Sequence, residues 1–197
     1  MKKVANRPPG RPRSFNLEAA LDQAIPVFWE KGYEGASFRD LTAAMGISAP
    51  SLVAAFGDKR SLFDAAIARY AETIASRHLT ALQGAGSLRE RLAAFFAAIV
   101  ATATGDGKPT GCLVTCALAD AAGDDLAACM QLGTLLAKAD EALAQAFRAA
   151  GFTPEEAAGR GQIAAATMHS VTLRARAGAS KGELQQIGDA AVRLLTA

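Results

Sequence analysis

The sequence predicts an all-α fold of about nine helices, and three observations carry that prediction. Apolar residues recur at the three- and four-residue spacing of a single helix face through most of the chain, and no alternating strand pattern competes with them. Glycines interrupt the pattern at Gly84 to Gly86, Gly105 to Gly111, Gly123, Gly151 and Gly178. Capping-box sequences restart it: S-L-R-E at Ser87, T-P-E-E at Thr153 and S-K-G-E at Ser180.

Composition bounds the rest. A chain of 197 residues, 51% hydrophobic and 20% charged, suits one medium domain or two small ones sharing a core. The longest uncharged apolar stretch, Leu92 to Gly105, is shorter than the roughly eighteen residues of a membrane span, so no membrane partner is expected. The basic start has no apolar signal core behind it, which makes a cytoplasmic protein the expectation. Without such a signal, three cysteines read as thiols rather than as a disulfide framework.

Net charge is only +2, but its distribution is uneven. Residues 1–15 carry Lys2, Lys3, Arg7, Arg11 and Arg13 with no acid, whereas residues 61–197 carry 12 basic and 13 acidic side chains. The positive field therefore lies at the amino-terminal end. Within this basic arm, P-P-G-R-P-R holds the chain extended and offers Arg11 and Arg13 to a narrow, electronegative minor groove; a tail making only phosphate contacts is the alternative.

The first helix has Asn16 as its cap and a stripe of Leu17, Ala20, Leu21, Ala24, Ile25, Phe28 and Trp29. Pro26 predicts a bend, and Lys31 with Gly32 a stop. From Ser37 to Lys59 two short helices are joined by a tight glycine turn. Ser37 caps the first with Asp40 as its reciprocal partner, and Phe38, Leu41 and Met45 share a face. Gly46 ends it in the left-handed conformation. Ser48 caps the second, Pro50 sits where an N–H would be unpaired anyway, and Leu52 and Phe56 point inward. Ala49, Pro50, Ser51, Val53 and Ala54 are left on an outer face small enough to enter a DNA major groove. Asp58 caps a long helix with Leu62, Phe63, Ala66, Ile67, Tyr70, Ile74 and His78 along one side, a rod from the DNA contacts into the second half of the chain.

These residues resemble a known family. G-R-P-R-S-F at Gly10 to Phe15, V-F-W-E-K-G-Y-E-G-A-S at Val27 to Ser37 and A-A-F-G-D-K at Ala54 to Lys59 are similar to the amino-terminal domain of TetR/AcrR-type transcriptional repressors, over roughly the first third of the chain. The resemblance implies that Lys59 and the helix start behind it meet a DNA phosphate. Val53 departs from the family pattern, which places a backbone-touching tyrosine there. It also implies a homodimer through the last two helices, about Pro154 to Ala177 and Lys181 to Thr196. Their small and apolar faces include Ala157, Gly161, Ala164, Ala165, Met168, Val171, Leu184, Ile187, Ala191 and Leu194; from the residues alone these could equally be internal core.

The expected organisation is an arm over 1–15, a helix-turn-helix domain over 16–60 and a helical effector and dimerisation domain over 61–197. The DNA-contacting set is Arg11, Arg13, Ser37, Ser48, Ala49, Pro50, Ser51, Val53 and Lys59, on double-stranded, palindromic operator DNA. A small apolar or aromatic inducer is expected among the middle helices, lined by Tyr70, Phe95, Phe96, Ile99, Cys116, Met130 and Met168. No phosphate loop, dinucleotide fingerprint, zinc pairing or Ser-His-Asp signature is evident, so neither a cofactor nor a metal is expected; G-D-G-K-P-T at Gly105 to Thr110 is a loop. His78 and His169 read as satisfied interior residues. Cys112 and Cys116 in G-C-L-V-T-C share a helix face. They are core, or Cys112 is a thiol sensor of oxidants or electrophiles at an exposed helix start. A cysteine-dependent enzyme is the remote alternative, because no base or oxyanion device accompanies the thiol.

Overall fold

The computed structural model describes residues 15–105 and 110–197. The arm, with Arg11 and Arg13, lies outside the described residues, as does the centre of the Gly105 to Thr110 loop. Nine helices run through the described residues: α1 Leu17–Gly35, α2 Phe38–Met45, α3 Ala49–Phe56, α4 residues 59–83, α5 Leu88–Ala103, α6 residues 114–121, α7 Leu126–Ala149, α8 Pro154–Arg176 and α9 Lys181–Leu195. There are no strands among them.

The predicted caps form, and Asp125 adds one that the sequence reading does not name. Ser37, Ser87, Thr153 and Ser180 each make both halves of a capping box, and Asn16, Ser48, Asp58 and Asp125 each accept from a first-turn N–H. Pro26, where a bend is expected, keeps helical dihedrals within α1. The departure from helical dihedrals falls at Gly32 (φ 73°), and Pro26 lies on the exposed side of the helix. The long rod α4 is not uniform either. It is α over Lys59–Tyr70, π over Ala71–Ala75, α over Ser76–Thr80 and 3₁₀ over Ala81–Gln83, and α6 opens with a second π stretch, Val114–Leu118.

Two apolar clusters hold the molecule together. The first joins Ala24, Ile25, Phe28 and Trp29 of α1 to Leu41 and Met45 of α2, Leu52 of α3 and Leu62, Phe63, Ala66, Ile67 and Tyr70 of α4. It continues into Leu113, Val114, Ala117 and Leu118 around α6, so the packing of the amino-terminal head crosses the boundary expected at residue 60. Arg69 on α4 clamps α1, through Nε to Asp22 Oδ1 at 2.8 Å and Nη1 to Glu18 Oε2 at 3.2 Å. The second cluster packs Leu92, Phe95, Phe96, Ile99 and Val100 of α5 against α7, α8 and α9.

Most of the small-residue face expected for dimerisation is consumed here. Ala157, Gly161, Ala164, Ala165, Val171 and Leu184 are buried within the chain. A Cβ on Gly161 would lie 2.7 Å from the Ala144 backbone nitrogen, which is how closely α7 and α8 cross. Among the apolar residues of α8 and α9, Ile163, Leu173 and Leu194 stay exposed.

Candidate nucleic-acid interface and internal cavity

The outer face of α3 depends on what fixes the inner one. Leu52 is fully buried, Ser48 Oγ accepts from Ser51 N at 3.3 Å, and Gly46 (φ 66°) ends α2 with its N–H on the Thr42 carbonyl. Ala49, Pro50, Val53 and Ala54 are then exposed, Val53 at 52%, and Ser51 is half-buried. Val53 presents an isopropyl group and no hydroxyl there. Ser37 and Ser48 are exposed but their side chains serve as caps. Phe38, expected on the buried face of α2, is 38% exposed at the first turn.

Asp40 receives Lys31 Nζ at 2.8 Å and the Ser37 N–H at 3.2 Å, and the lysine foremost, then Ser37, hold its carboxyl well below the usual carboxylate range. Lys59 begins α4 beside the end of α3. Its Nζ lies 4.7 Å from the centre of the Tyr33 ring and donates to the Glu34 carbonyl at 3.2 Å, so the ammonium is oriented rather than free. Arg60 beside it pairs with Asp64 at 2.9 Å and with Asp125, the cap of α7.

A cavity of about 180 Å³ lies behind the head, lined by α4, α5, the start of α6, α7 and α8. Of the residues expected to line it, Tyr70, Phe95, Ile99 and Met168 do. Three do not. Phe96 is 100° further round α5 than Phe95 and packs on Gly188 of α9. Met130 is 67% exposed, because Ala128 takes the inward position on that turn of α7. Cys116 turns toward Gly111, where a Cβ would lie 3.0 Å from its Sγ. Cys112, half-buried, takes the place on the wall and accepts a hydrogen bond from Tyr70 Oη at 3.3 Å. Cys112 thus stands at the helix start expected of it but is half-buried rather than exposed; Cys129 is the exposed cysteine.

Sequence reasoning missed His78, Thr102, Lys138, His169 and Thr172 on the wall. His78 is satisfied as expected, with Nε2 2.8 Å from Thr102 Oγ1, and burial lowers its pKa to about 4, so its ring is neutral at pH 7. His169 is also shifted down by burial, partly offset by Asp140, but its Nε2 is buried with no hydrogen-bond partner among the described residues. Burial, with the adjacent Cys112, pushes the Tyr70 hydroxyl far above its ordinary pKa. Both π stretches border this space, through Ala71, Ala75 and Val114. No group of three or more His, Cys, Asp or Glu among the described residues could hold a metal ion, and no helix among them is long and apolar enough to cross a membrane.

Cavity and head are joined by few polar links. Trp29 Nε1 of α1 donates to the carbonyl of Thr110 at 3.1 Å, just before the wall residues Gly111 and Cys112. Arg176 at the end of α8 donates to the Glu30 carbonyl at 2.9 Å.

Comparison with known proteins agrees with this geometry. Residues 20–66 match the family model for bacterial regulatory proteins of the tetR family. The chain is 42% identical over 106 residues to the HTH-type transcriptional repressor ComR of Escherichia coli, covering 53% of this chain and 50% of ComR. The chain spans about half the length, or less, of the curated relatives it matches. Among solved structures, a cysteine mutant of the TetR family transcriptional regulator CifR, complexed with 26-base-pair double-strand operator DNA, is 32% identical over 93% of this chain and 98% of CifR, with a TM-score of 0.84. A TetR regulator from Legionella pneumophila shares the fold with a TM-score of 0.79 at 22% identity, over 93% of this chain and 99% of that one. With near-complete coverage of CifR and the family match placed on the helix-turn-helix, this chain belongs to the TetR family of transcriptional regulators.

Proposed function

We propose that the protein is a homodimeric, sequence-specific DNA-binding repressor that leaves a palindromic operator when a small effector occupies the cavity behind its head. The observation carrying the DNA half is the open, small-residue face of α3, held outward by buried Leu52 and the Ser48 cap. A side chain no larger than Val53 lets the helix backbone approach base edges closely. Lys59, oriented by Tyr33 and the Glu34 carbonyl, supplies a phosphate contact at the free N–H groups of α4. The relatives named above are a repressor and a regulator bound to operator DNA, which favours the same role.

A two-fold dimer places two recognition helices about 34 Å apart or a multiple of it. The large apolar residues left exposed for that contact on α8 and α9 are Ile163, Leu173 and Leu194, rather than the faces spent inside the chain. Fluorescence anisotropy of operator DNA at several salt concentrations tests the reading. Specific binding with a log–log salt slope of about −0.9 per neutralised phosphate is expected, steeper for the wild type than for Lys59→Ala. Equal affinity for operator and random duplex would refute it.

A second reading keeps the DNA half and replaces the effector by thiol chemistry at Cys112. It is favoured by the position of Cys112 on the cavity wall, in hydrogen-bond contact with Tyr70. Cys112→Ser in the same assay separates the two: loss of response to oxidants or electrophiles with operator affinity intact supports the thiol reading, and an unchanged response excludes it.

A further inference from the structure

The polar atoms around the cavity are largely spent on one another. Tyr70 Oη donates to Cys112 Sγ, His78 pairs with Thr102, and the Thr172 hydroxyl reaches Thr115 Oγ1 at 3.2 Å and the His169 carbonyl at 2.9 Å. His169 is the exception. The residue is part of the wall, and its Nε2, turned out of the open space, is buried and unpaired among the described residues. A buried ring nitrogen without a partner carries a desolvation cost that a paired one does not, and such an atom in a native fold calls for a partner.

The size and charge of the space narrow what that partner is. An apolar cavity of about 150 Å³ holds a benzene molecule, and this one is about 180 Å³, with Phe95, Ile99, Leu135 and Met168 among its walls. Burial keeps both histidines neutral near pH 7. Among the described wall residues the one ionic side chain is Lys138, which is exposed to solvent on α7, so a carboxylate seated in the apolar interior beyond its reach would give up hydration unpaired.

We propose that the cavity takes an uncharged ligand of about one aromatic ring bearing a single hydroxyl or carbonyl oxygen, which a small rotation of the His169 ring brings against Nε2. This rests on the cavity being the effector site, and binding and operator release are therefore read separately. Calorimetric titration of the full chain with p-cresol, toluene and benzoate, without DNA, tests it. p-Cresol binds about threefold to tenfold more tightly than toluene, the range one net hydrogen bond supplies, and more tightly than benzoate. In His169→Leu the p-cresol-to-toluene ratio falls to about one while toluene still binds; His169→Gln, which keeps a hydrogen-bonding end, retains part of the preference. A purely structural role for His169 would weaken both ligands alike and leave the ratio unchanged. That result, benzoate binding as tightly as p-cresol, or no binding of any of the three would overturn the proposal. A p-cresol complex that still holds operator DNA would count against the effector reading and leave the ligand class standing.

Discussion

At the scale of single residues, the two histidines on the cavity wall separate what spacing reveals from what it hides. Both sit on largely apolar helix faces and both read as satisfied interior groups. For His78 that holds, because Thr102 on α5 meets it; for His169 no hydroxyl arrives, and a partner on another helix cannot be counted from one helix's periodicity. His78 also gives a pH prediction. Its pKa falls from an ordinary 6.5 to about 4 on folding through burial alone, so between those values the unfolded chain binds more protons than the folded one. Its contribution to stability is therefore complete above about pH 6.5 and is lost as pH falls toward 4, by at most about 3 kcal/mol. His169 is shifted the same way and adds to the loss. The urea midpoint of the wild type should drop between pH 7 and pH 5, and that of His78→Gln should drop less. Equal drops would mean that His78 is not held neutral.

At the scale of elements, the helices and their caps were legible because each is encoded within four residues: Ser37 with Asp40, Ser87 with Glu90, Thr153 with Glu156, Ser180 with Glu183. The π stretches at Ala71–Ala75 and Val114–Leu118 were not, since an apolar stripe survives a one-residue change of register. Nor was the choice between internal core and dimer face on α8, which depends on which helix lies across it. Two glycines on α8 make that choice measurable. A Cβ on Gly161 would meet Ala144 N at 2.7 Å and Ala144 Cα and Asp140 O at 3.0 Å, all backbone atoms that cannot swing aside. One on Gly159 meets nothing within 4 Å. Gly159→Ala should therefore stabilise by up to about 1 kcal/mol through helix propensity. Gly161→Ala gains the same term but forces α7 and α8 apart, and should end about 1 to 3 kcal/mol less stable. Chemical denaturation of the two variants decides it; a stabilised Gly161→Ala would mean that the two helices do not cross this closely.

At the scale of the whole molecule, the sequence predicts a DNA-reading end and a separate effector end, and it draws the boundary in chain order. The folded head borrows Leu113, Val114, Ala117 and Leu118 from beyond residue 110, so one side of the cavity wall, with Tyr70 and Val114, shares an apolar cluster with the head. Trp29 shows how closely. Its ring packs edge-on to Tyr70, a wall residue, at 5.1 Å between centroids, and its Nε1–H holds the Thr110 carbonyl, two residues before Cys112. A ligand that moves Tyr70 or Cys112 therefore acts on α1, and through Leu41, Met45 and Leu52 on the seat of α2 and α3. Coupling of this kind is a free energy of about 1 to 3 kcal/mol, or roughly 5- to 150-fold in affinity, and reciprocity requires operator DNA to weaken ligand binding by the same factor. Trp29→Phe keeps most of the ring packing and removes the hydrogen bond to Thr110. Its operator affinity without ligand should stay within a few fold of the wild type, while the factor by which p-cresol lowers that affinity shrinks toward one. Anisotropy titrations of operator with and without saturating p-cresol, and calorimetry of p-cresol with and without operator, measure the factor from both sides. If the two sides agree and Trp29→Phe leaves the factor unchanged, the coupling runs through another link, with Arg176 on the Glu30 carbonyl the next to remove.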